Sequence, residues 1–130
     1  MSETRKKTVA LREVVKEVLA SIAPEGTDIY FSQAEKGAGH RYIVFTLDEV
    51  LREDERTTLE LEVNVMDYGT DTSYAEDLSD DIQAAFDKLV RIENEIAVYF
   101  YIDRRNSPTE EDRNIIRRRL TFSTYLYERK

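Results

Sequence analysis

The spacing of apolar residues changes within one stretch, Arg56 to Val90, and this change constrains the fold more than any other feature. In the first half apolar residues alternate with polar ones: Leu59, Leu61, Val63 and Val65. In the second half they recur at helical intervals: Leu78, Ile82, Ala85, Phe86 and Leu89. A period of two predicts a strand with one apolar face, and the longer period predicts an amphipathic helix. Both apolar surfaces are buried if the helix folds back onto the strand.

The rest of the chain predicts one further helix and four further strands. The first helix, with Thr8 as its cap, ends at the segment Pro24-Glu25-Gly26, because proline and glycine stop helices. The additional strands are predicted at 28–33, 41–47, 95–105 and 115–127. Residues 1–7 are expected to be a disordered arm, the loop 34–39 to be flexible, and the charged segment 48–55 to be a mobile connection.

The predicted order is therefore helix, three strands, helix, two strands, in a single α+β domain spanning residues 1–130. Short links favour antiparallel neighbours, so we expect a mainly antiparallel sheet with both helices packed on it. In the last strand Arg118 falls on the apolar side, which indicates a strand end, a bulge or a paired arginine.

Charge is distributed unevenly along the chain, whose net charge is −8. Residues 25–90 contain five basic and seventeen acidic side chains, whereas the segments on either side each have an excess of basic ones. An acidic centre repels phosphate, so nucleic acid is not an expected partner. No apolar run approaches the ~20 residues that span a bilayer, and the N-terminus has no apolar block typical of a signal peptide. We therefore expect no membrane association, and the absence of cysteine favours a cytosolic origin.

Three features resemble catalytic or ligand sites without completing one. His40 is the only histidine, and no catalytic set can be placed around it. The segment Gly37-Ala38-Gly39 lacks the Gly-Lys-Ser/Thr ending of a phosphate loop. The carboxylate runs at 53–55 and 77–81 lack the spaced oxygen ligands and glycine of a calcium loop. The sequence therefore predicts no catalytic residues, no cofactor and no metal, and no enzymatic activity.

Arginine and tyrosine are concentrated in the last two predicted strands. A hairpin would bring the pair Arg104-Arg105 close to the triplet Arg117-Arg118-Arg119. The same face could include Tyr99, Tyr101, Tyr125 and Tyr127. Three interpretations remain open. The residues form an ordinary hairpin with cross-strand pairing to Glu60 or Glu62, or they form a protein interface, or they form an RNA-stacking surface.

The layout resembles that of tail terminator or tail completion proteins of long-tailed bacteriophages and prophages. The resemblance is carried by the opening helix VALREVVKEVLASIAP, the central strand TTLELEVNVMDYG, the helix SYAEDLSDDIQAAFDKL and the closing strand RRRLTFSTYLYERK. It covers most of the chain from Val9 to Tyr127. It is a resemblance of layout, and it includes no invariant motif.

This resemblance implies a structural protein that assembles into a ring, often of six subunits, at the end of the tail tube. The implied partners are copies of itself, the tail tube protein and head-connector proteins, first in the bacterial cytoplasm and then in the virion tail. Rings require a patch that meets a different patch on the next subunit. Our hypothesis is that Arg104, Arg105, Arg117 and Arg119 face acidic groups such as Glu60 and Glu62 across subunits, with Tyr125 and Tyr127 beside them. The alternatives are another head–tail connector or minor capsid component and, from a different class, a small ligand-binding or enzymatic α+β domain.

Overall fold

A computed structural model describes residues 3–37, 39–93 and 96–128, which form two helices and six strands. Helix α1 (Glu3–Ile22) is followed by strands β1 (Asp28–Phe31), β2 (Tyr42–Arg52) and β3 (Arg56–Tyr68). Helix α2 (Ser73–Phe86) then leads into β4 (Val90–Ile92), β5 (Ile96–Asn106) and β6 (Ile115–Glu128). The α+β class is as the sequence predicts, with one more strand than expected.

All six strands belong to one mixed sheet in the order β1-β2-β3-β6-β5-β4. The short edge strand β1 runs parallel to β2, and every other neighbouring pair is antiparallel. The longest pairing joins β3 to β6 over the full length of β3, from Arg56 opposite Tyr127 to Tyr68 opposite Ile115. The stretch that changes period in the sequence thus supplies a central strand and the helix packed against it.

One apolar core lies between the two helices and one face of the sheet. Its largest fully buried side chains include Phe86 of α2, which contacts both Phe100 and Phe122 at ring-centroid distances of 5.2 and 5.4 Å. Leu11 and Leu19 of α1 are fully buried in the same cluster. The alternating apolar residues of β3 lie on this face, so the predicted burial of helix against strand is confirmed.

The predicted order of helix, three strands, helix, two strands is wrong because a short strand was missed. Strand β4 has only three residues, and in the sequence they continue the apolar pattern of α2. The helix stops earlier, at Phe86, and Lys88 adopts a left-handed conformation with φ of 66°. The chain therefore reverses, and β4 pairs antiparallel with β5, Val90 opposite Tyr99.

The segment 48–55 is not a mobile connection, because most of it is strand. Strand β2 continues to Arg52, and Asp48 lies opposite Glu60 of β3. Its charged residues tolerate this position because they are exposed at the end of a hairpin, past the part of β2 that is buried.

Other boundaries shift by smaller amounts. Helix α1 begins at Glu3 rather than after a cap at Thr8, so the helix includes residues 3–7 of the predicted arm. Strand β1 ends two residues earlier than predicted. Met1, Ser2, Ala38 and Glu95, on which parts of the predicted arm, loop and strand fall, lie outside the described residues.

Candidate functional site

The sheet face opposite the helices, which we call the open face, holds most of the predicted interface residues. No helix covers it within the part of the chain that the structure describes. Strand β3 contributes Glu60, Glu62 and Asn64, and β6 contributes Arg117, Arg119, Tyr125 and Tyr127. Strand β5 adds Tyr99, Tyr101 and Arg104. The face is therefore a polar and aromatic surface built on three central strands.

Four tyrosines form a cluster on the open face near one end of the sheet. Tyr99 and Tyr125 are directly opposite each other, and each also contacts a diagonal neighbour. The ring centroids of Tyr99 and Tyr127 are 5.7 Å apart, and those of Tyr101 and Tyr125 are 6.0 Å apart, both edge to face. Such pairs are favoured by the aromatic quadrupole. The cluster is therefore a set of cross-strand pairs that also presents rings to solvent.

A cation borders the tyrosine cluster at the β2–β3 turn. The guanidinium of Arg56 lies 5.0 Å from the ring centroid of Tyr125 and 3.0 Å from a carboxylate oxygen of Glu53. Hydrogen bonding to Tyr127, and then to Glu53, raises the pKa of Arg56. A positive charge is thus fixed at the rim of the aromatic surface.

Two of the predicted arginines reach acceptors on other strands of the sheet. Arg104 donates to Glu60 at 3.1 Å, and both side chains are exposed. Arg119 donates from Nε to the side-chain oxygen of Asn106 at 3.1 Å. Among the described residues Arg119 has no carboxylate within ion-pair distance. Its charge is therefore less compensated than that of Arg104.

Asn64 connects two charged residues in the centre of the open face. Its side-chain oxygen accepts a hydrogen bond from Arg117 at 2.8 Å, and its amide donates to Glu62 at 2.9 Å. Arg117 also pairs with Glu110 at 3.2 Å. Asn64 is buried although no described helix lies above it, so neighbouring long side chains cover it. This network orients Arg117 and Glu62 within one chain.

Arg105 is not on the open face, contrary to the expectation that the four arginines share one surface. A bulge at Asp103 shifts the register between Ile102 and Arg104, which puts Arg105 on the helix side. There it reaches α2, donating to Asp80 at 2.7 Å and to Gln83 at 3.3 Å. Arg118 also lies on the helix side and pairs with Glu76 of α2, so the paired-arginine interpretation of Arg118 is confirmed.

The contacts described for the arginines are all within one chain. They include the cross-strand pairing to Glu60 that the sequence left open. Whether Arg104, Arg117 and Arg119 also face carboxylates on another subunit stays a prediction.

His40 stacks against Tyr68 at the other end of the sheet, with ring centroids 5.1 Å apart. The two residues line a largely apolar cleft of about 340 Å³, together with Tyr42, Met66 and the buried Asp67. Asp67 accepts hydrogen bonds from Arg41 at 3.3 Å and from the backbone N–H of Tyr68 at 2.8 Å. The carboxylate of Asp67 is thus engaged by two hydrogen-bond donors of its own chain.

The described residues contain neither a metal-ligand cluster nor a bilayer-spanning helix. No group of three or more histidine or carboxylate side chains there is arranged to hold a metal ion. No helix in the same residues is both long and apolar enough to cross a bilayer.

Sequence reasoning missed the exposed apolar residues at the two sides of the sheet. Val50 and Leu51 are exposed on the outer part of β2, and Val90 and Ile92 are exposed on β4. The pair Val50-Leu51 was assigned to a charged connection, and Val90 to the end of a helix. A signal was present in Leu47 to Leu51, where apolar residues persist among the charges.

No protein-family model and no curated protein sequence matches the chain. Solved structures with the same fold do match. A chain from the virion of a native gene transfer agent particle aligns with 87% of this chain and 91% of its own length, with a TM-score of 0.68 and 12% identity. A second solved chain, of no stated function, aligns with 100% of this chain and 99% of its own length, with a TM-score of 0.72 and 15% identity. At these identities the likeness shows that the fold is shared.

Proposed function

We propose that this protein is a structural component of a phage-like particle and performs no catalysis. The observation that carries the proposal is the shared fold with a chain of a gene transfer agent virion, which extends over 87% of the protein. The resemblance of the sequence layout to tail terminator and tail completion proteins supports the same class independently.

Within that class we propose a tail terminator or tail completion protein that forms a ring at the end of the tail tube. Its partners are further copies of itself, the tail tube protein and a head-connector protein. The acidic segment 25–90 and the basic excess in the flanking segments provide unlike surfaces on one chain, as contacts between successive subunits of a ring require. Other head–tail connector or minor capsid roles are the nearest alternatives.

Gold labelling of the protein in particles from the producing bacterium tests this proposal. Electron microscopy is expected to show label at the head-proximal end of the tail, including on finished tails that lack heads. Label on tailless heads and not on free tails would favour a connector. Label absent from every particle would contradict a virion role.

A small ligand-binding or enzymatic domain is the alternative of a different class, and the cleft beside His40 and Tyr68 is where it would act. Its mostly apolar lining and buried Asp67 fit the usual composition of ligand pockets. A saturable thermal stabilisation by a metabolite that is lost in Tyr68→Ala would favour this alternative. We expect no such response.

A further inference from the structure

Two strand edges at opposite sides of the sheet are not paired within the described residues. Strand β1 covers only Tyr42–Phe45 of β2, so the outer edge of β2 from Thr46 to Leu51 has no strand beside it in the described chain. On the other side β4 is the last strand, and its outer edge is likewise without a described neighbour. We call these the β2 edge (Thr46–Leu51) and the β4 edge (Val90–Ile92). Unpaired strand edges are templates for pairing with another chain.

The β2 and β4 edges are also where exposed aliphatic side chains concentrate. Val50 and Leu51 are 65% and 52% exposed, and Val90 and Ile92 are 48% and 61% exposed. These four make up most of the large hydrophobic residues that are exposed in the described chain. Contiguous exposed apolar residues on a soluble domain mark interaction sites.

The strand register places the two edges at the same height in the sheet. Val90 is opposite Tyr99, and Tyr99 is opposite Tyr125. Tyr125 is opposite Thr58, and Thr58 is opposite Leu51. Leu51 and Val90 are thus the two ends of one row of neighbours that crosses the whole sheet. A second copy rotated about an axis along the strands brings its β4 edge to the β2 edge without an axial shift.

Strand direction is compatible with this contact. Strand β3 is antiparallel to β2, and successive antiparallel pairings through β6 and β5 lead to β4. Strands β2 and β4 therefore point the same way, and rotation about an axis along the strands preserves that direction. The two edges meet as parallel strands. In this register Val90 lies level with the last residue of the β2 edge, Leu51, and Arg91 and Ile92 lie level with the next two residues, Arg52 and Glu53. Because β1 lies beside the other half of β2, it leaves this part of the edge uncovered.

Unlike charges meet at one end of the contact. The backbone N–H of Lys88 donates to Phe100, which lies level with Glu49 through Thr124 and Leu59. Lys88 is exposed and has no carboxylate within ion-pair distance among the described residues. Asp48 and Glu49 are exposed on the β2 edge. Meeting copies would thus bring a lysine towards carboxylates. At the other end Arg91 lies level with Arg52, and each of these arginines pairs with a carboxylate of its own chain, Glu17 and Glu49.

We propose that the β2 edge of one copy pairs with the β4 edge of the next, so that the sheets of successive subunits become continuous. The partner is a second copy of this chain. The contact is head-to-tail, since two different patches meet, and the absence of an axial shift allows it to close into a ring. The inference rests on the proposed ring-forming function and names the surfaces that would build the ring.

Engineered disulfides test this contact cleanly because the native chain has no cysteine. Neighbouring strands lie about 4.8 Å apart, within the Cα separation that a disulfide accepts. The double variant Leu51→Cys/Val90→Cys, oxidised at high protein concentration, is expected to yield a ladder of covalent oligomers on denaturing gels. On the same gels, a mixture of the two single variants is expected to give covalent dimers and nothing larger. Each single variant alone is expected to run as a monomer.

The matched control is Tyr68→Cys/Val90→Cys. Tyr68 is as exposed as Val90 but lies at the far end of β3, so this pair is expected to give no ladder. A second test pair, Leu51→Cys/Ile92→Cys, provides a cysteine close to the predicted row if the first geometry is unfavourable. Circular dichroism of each reduced variant checks that the fold is retained.

Light scattering and negative-stain imaging of the native protein distinguish a failure of this inference from a failure of the proposed function. Oligomers that form without either covalent ladder would overturn the pairing of the β2 and β4 edges and leave the proposed function standing. Dimers of Leu51→Cys alone would replace the head-to-tail contact with a symmetric one and also overturn the inference. A strictly monomeric protein with no cross-links contradicts the inference, while the gold-labelling experiment still decides the function.

Discussion

Arg118 of β6 and Glu76 of α2 form an ion pair on the helix-covered side of the sheet. The Arg118 side chain is only 17% exposed, and it occupies a position where the strand pattern calls for an apolar residue. Arg105 also reaches Glu76, at 3.8 Å. One carboxylate on α2 is therefore shared by two arginines from neighbouring strands, and it links the helix to the end of the sheet.

Glu76→Ala is expected to destabilise the fold by about 1–3 kcal/mol, because it leaves a mostly buried guanidinium without its carboxylate. The free energy of unfolding in urea measures this. Asp77→Ala is the matched control, since Asp77 is the exposed neighbour on the same helix, and a change within about 0.5 kcal/mol is expected. Equal losses in the two variants would contradict a specific role for Glu76.

Much of the fold could be predicted because its central elements have strong periodicity. The alternation in β3 and the helical spacing in α2 continue over many residues, and each matches one apolar face of the folded protein. Strand β4 could not be predicted, since three residues carry no usable period and its position depends on the reversal at Lys88. The charged half of β2 was not predicted to be a strand for a related reason. It pairs through its backbone while its side chains face solvent.

The candidate site was predicted only in part, because two adjacent strand residues were grouped on one face and because a bulge decides which of them faces the helices. Strict alternation in β5 assigns Arg105 to the side opposite Arg104, yet the hairpin argument grouped them by proximity in sequence. Alternation continued from Ile102 would put Arg104 on the helix side. The extra residue at Asp103 shifts the register, so that Arg104 lies on the open face and Arg105 turns towards α2. Such bulges depend on the partner strand, which the local sequence does not reveal.

Thr124→Val is expected to stabilise the protein by about 1 kcal/mol. The hydroxyl of Thr124 is buried on the helix side and has no hydrogen-bond partner among the described residues. Replacing it with a methyl group of similar size removes an unsatisfied polar atom without opening a cavity. Thermal or urea unfolding measures the gain.

The adjacent Ser123→Ala provides the contrast for Thr124→Val. Ser123 lies on the open face and donates to Asp103 at 2.7 Å, so this variant is expected to be neutral or slightly destabilising. A loss of stability in Thr124→Val would indicate that its hydroxyl does have a partner in solution.

Asp71 makes the start of α2 sensitive to acid. Hydrogen bonds from the Ser73 hydroxyl and from its backbone N–H lower the pKa of Asp71. The pKa of Asp71 is thus lower in the folded than in the unfolded protein. The stabilisation is therefore fully present above the unfolded pKa and is lost as pH falls through the folded value.

Titration of Asp71 by NMR is expected to give a midpoint below that of an ordinary aspartate. Ser73→Ala removes the hydroxyl donor but retains the backbone N–H, so the pKa is expected to move part of the way back. No movement in that variant would mean that the backbone hydrogen bond alone sets the shift.

Arg119→Glu tests whether the open face contributes to association between subunits. Arg119 hydrogen-bonds Asn106 and has no carboxylate within ion-pair distance in the described chain, so its charge is available to a partner. We expect the variant to reduce the oligomer mass measured by light scattering and to weaken the salt dependence of association, while unfolding stability changes by less than about 0.5 kcal/mol. Arg113→Glu is the control, because Arg113 is an exposed arginine in the loop before β6. If both variants lower the oligomer mass equally, net charge rather than a specific contact of Arg119 governs association.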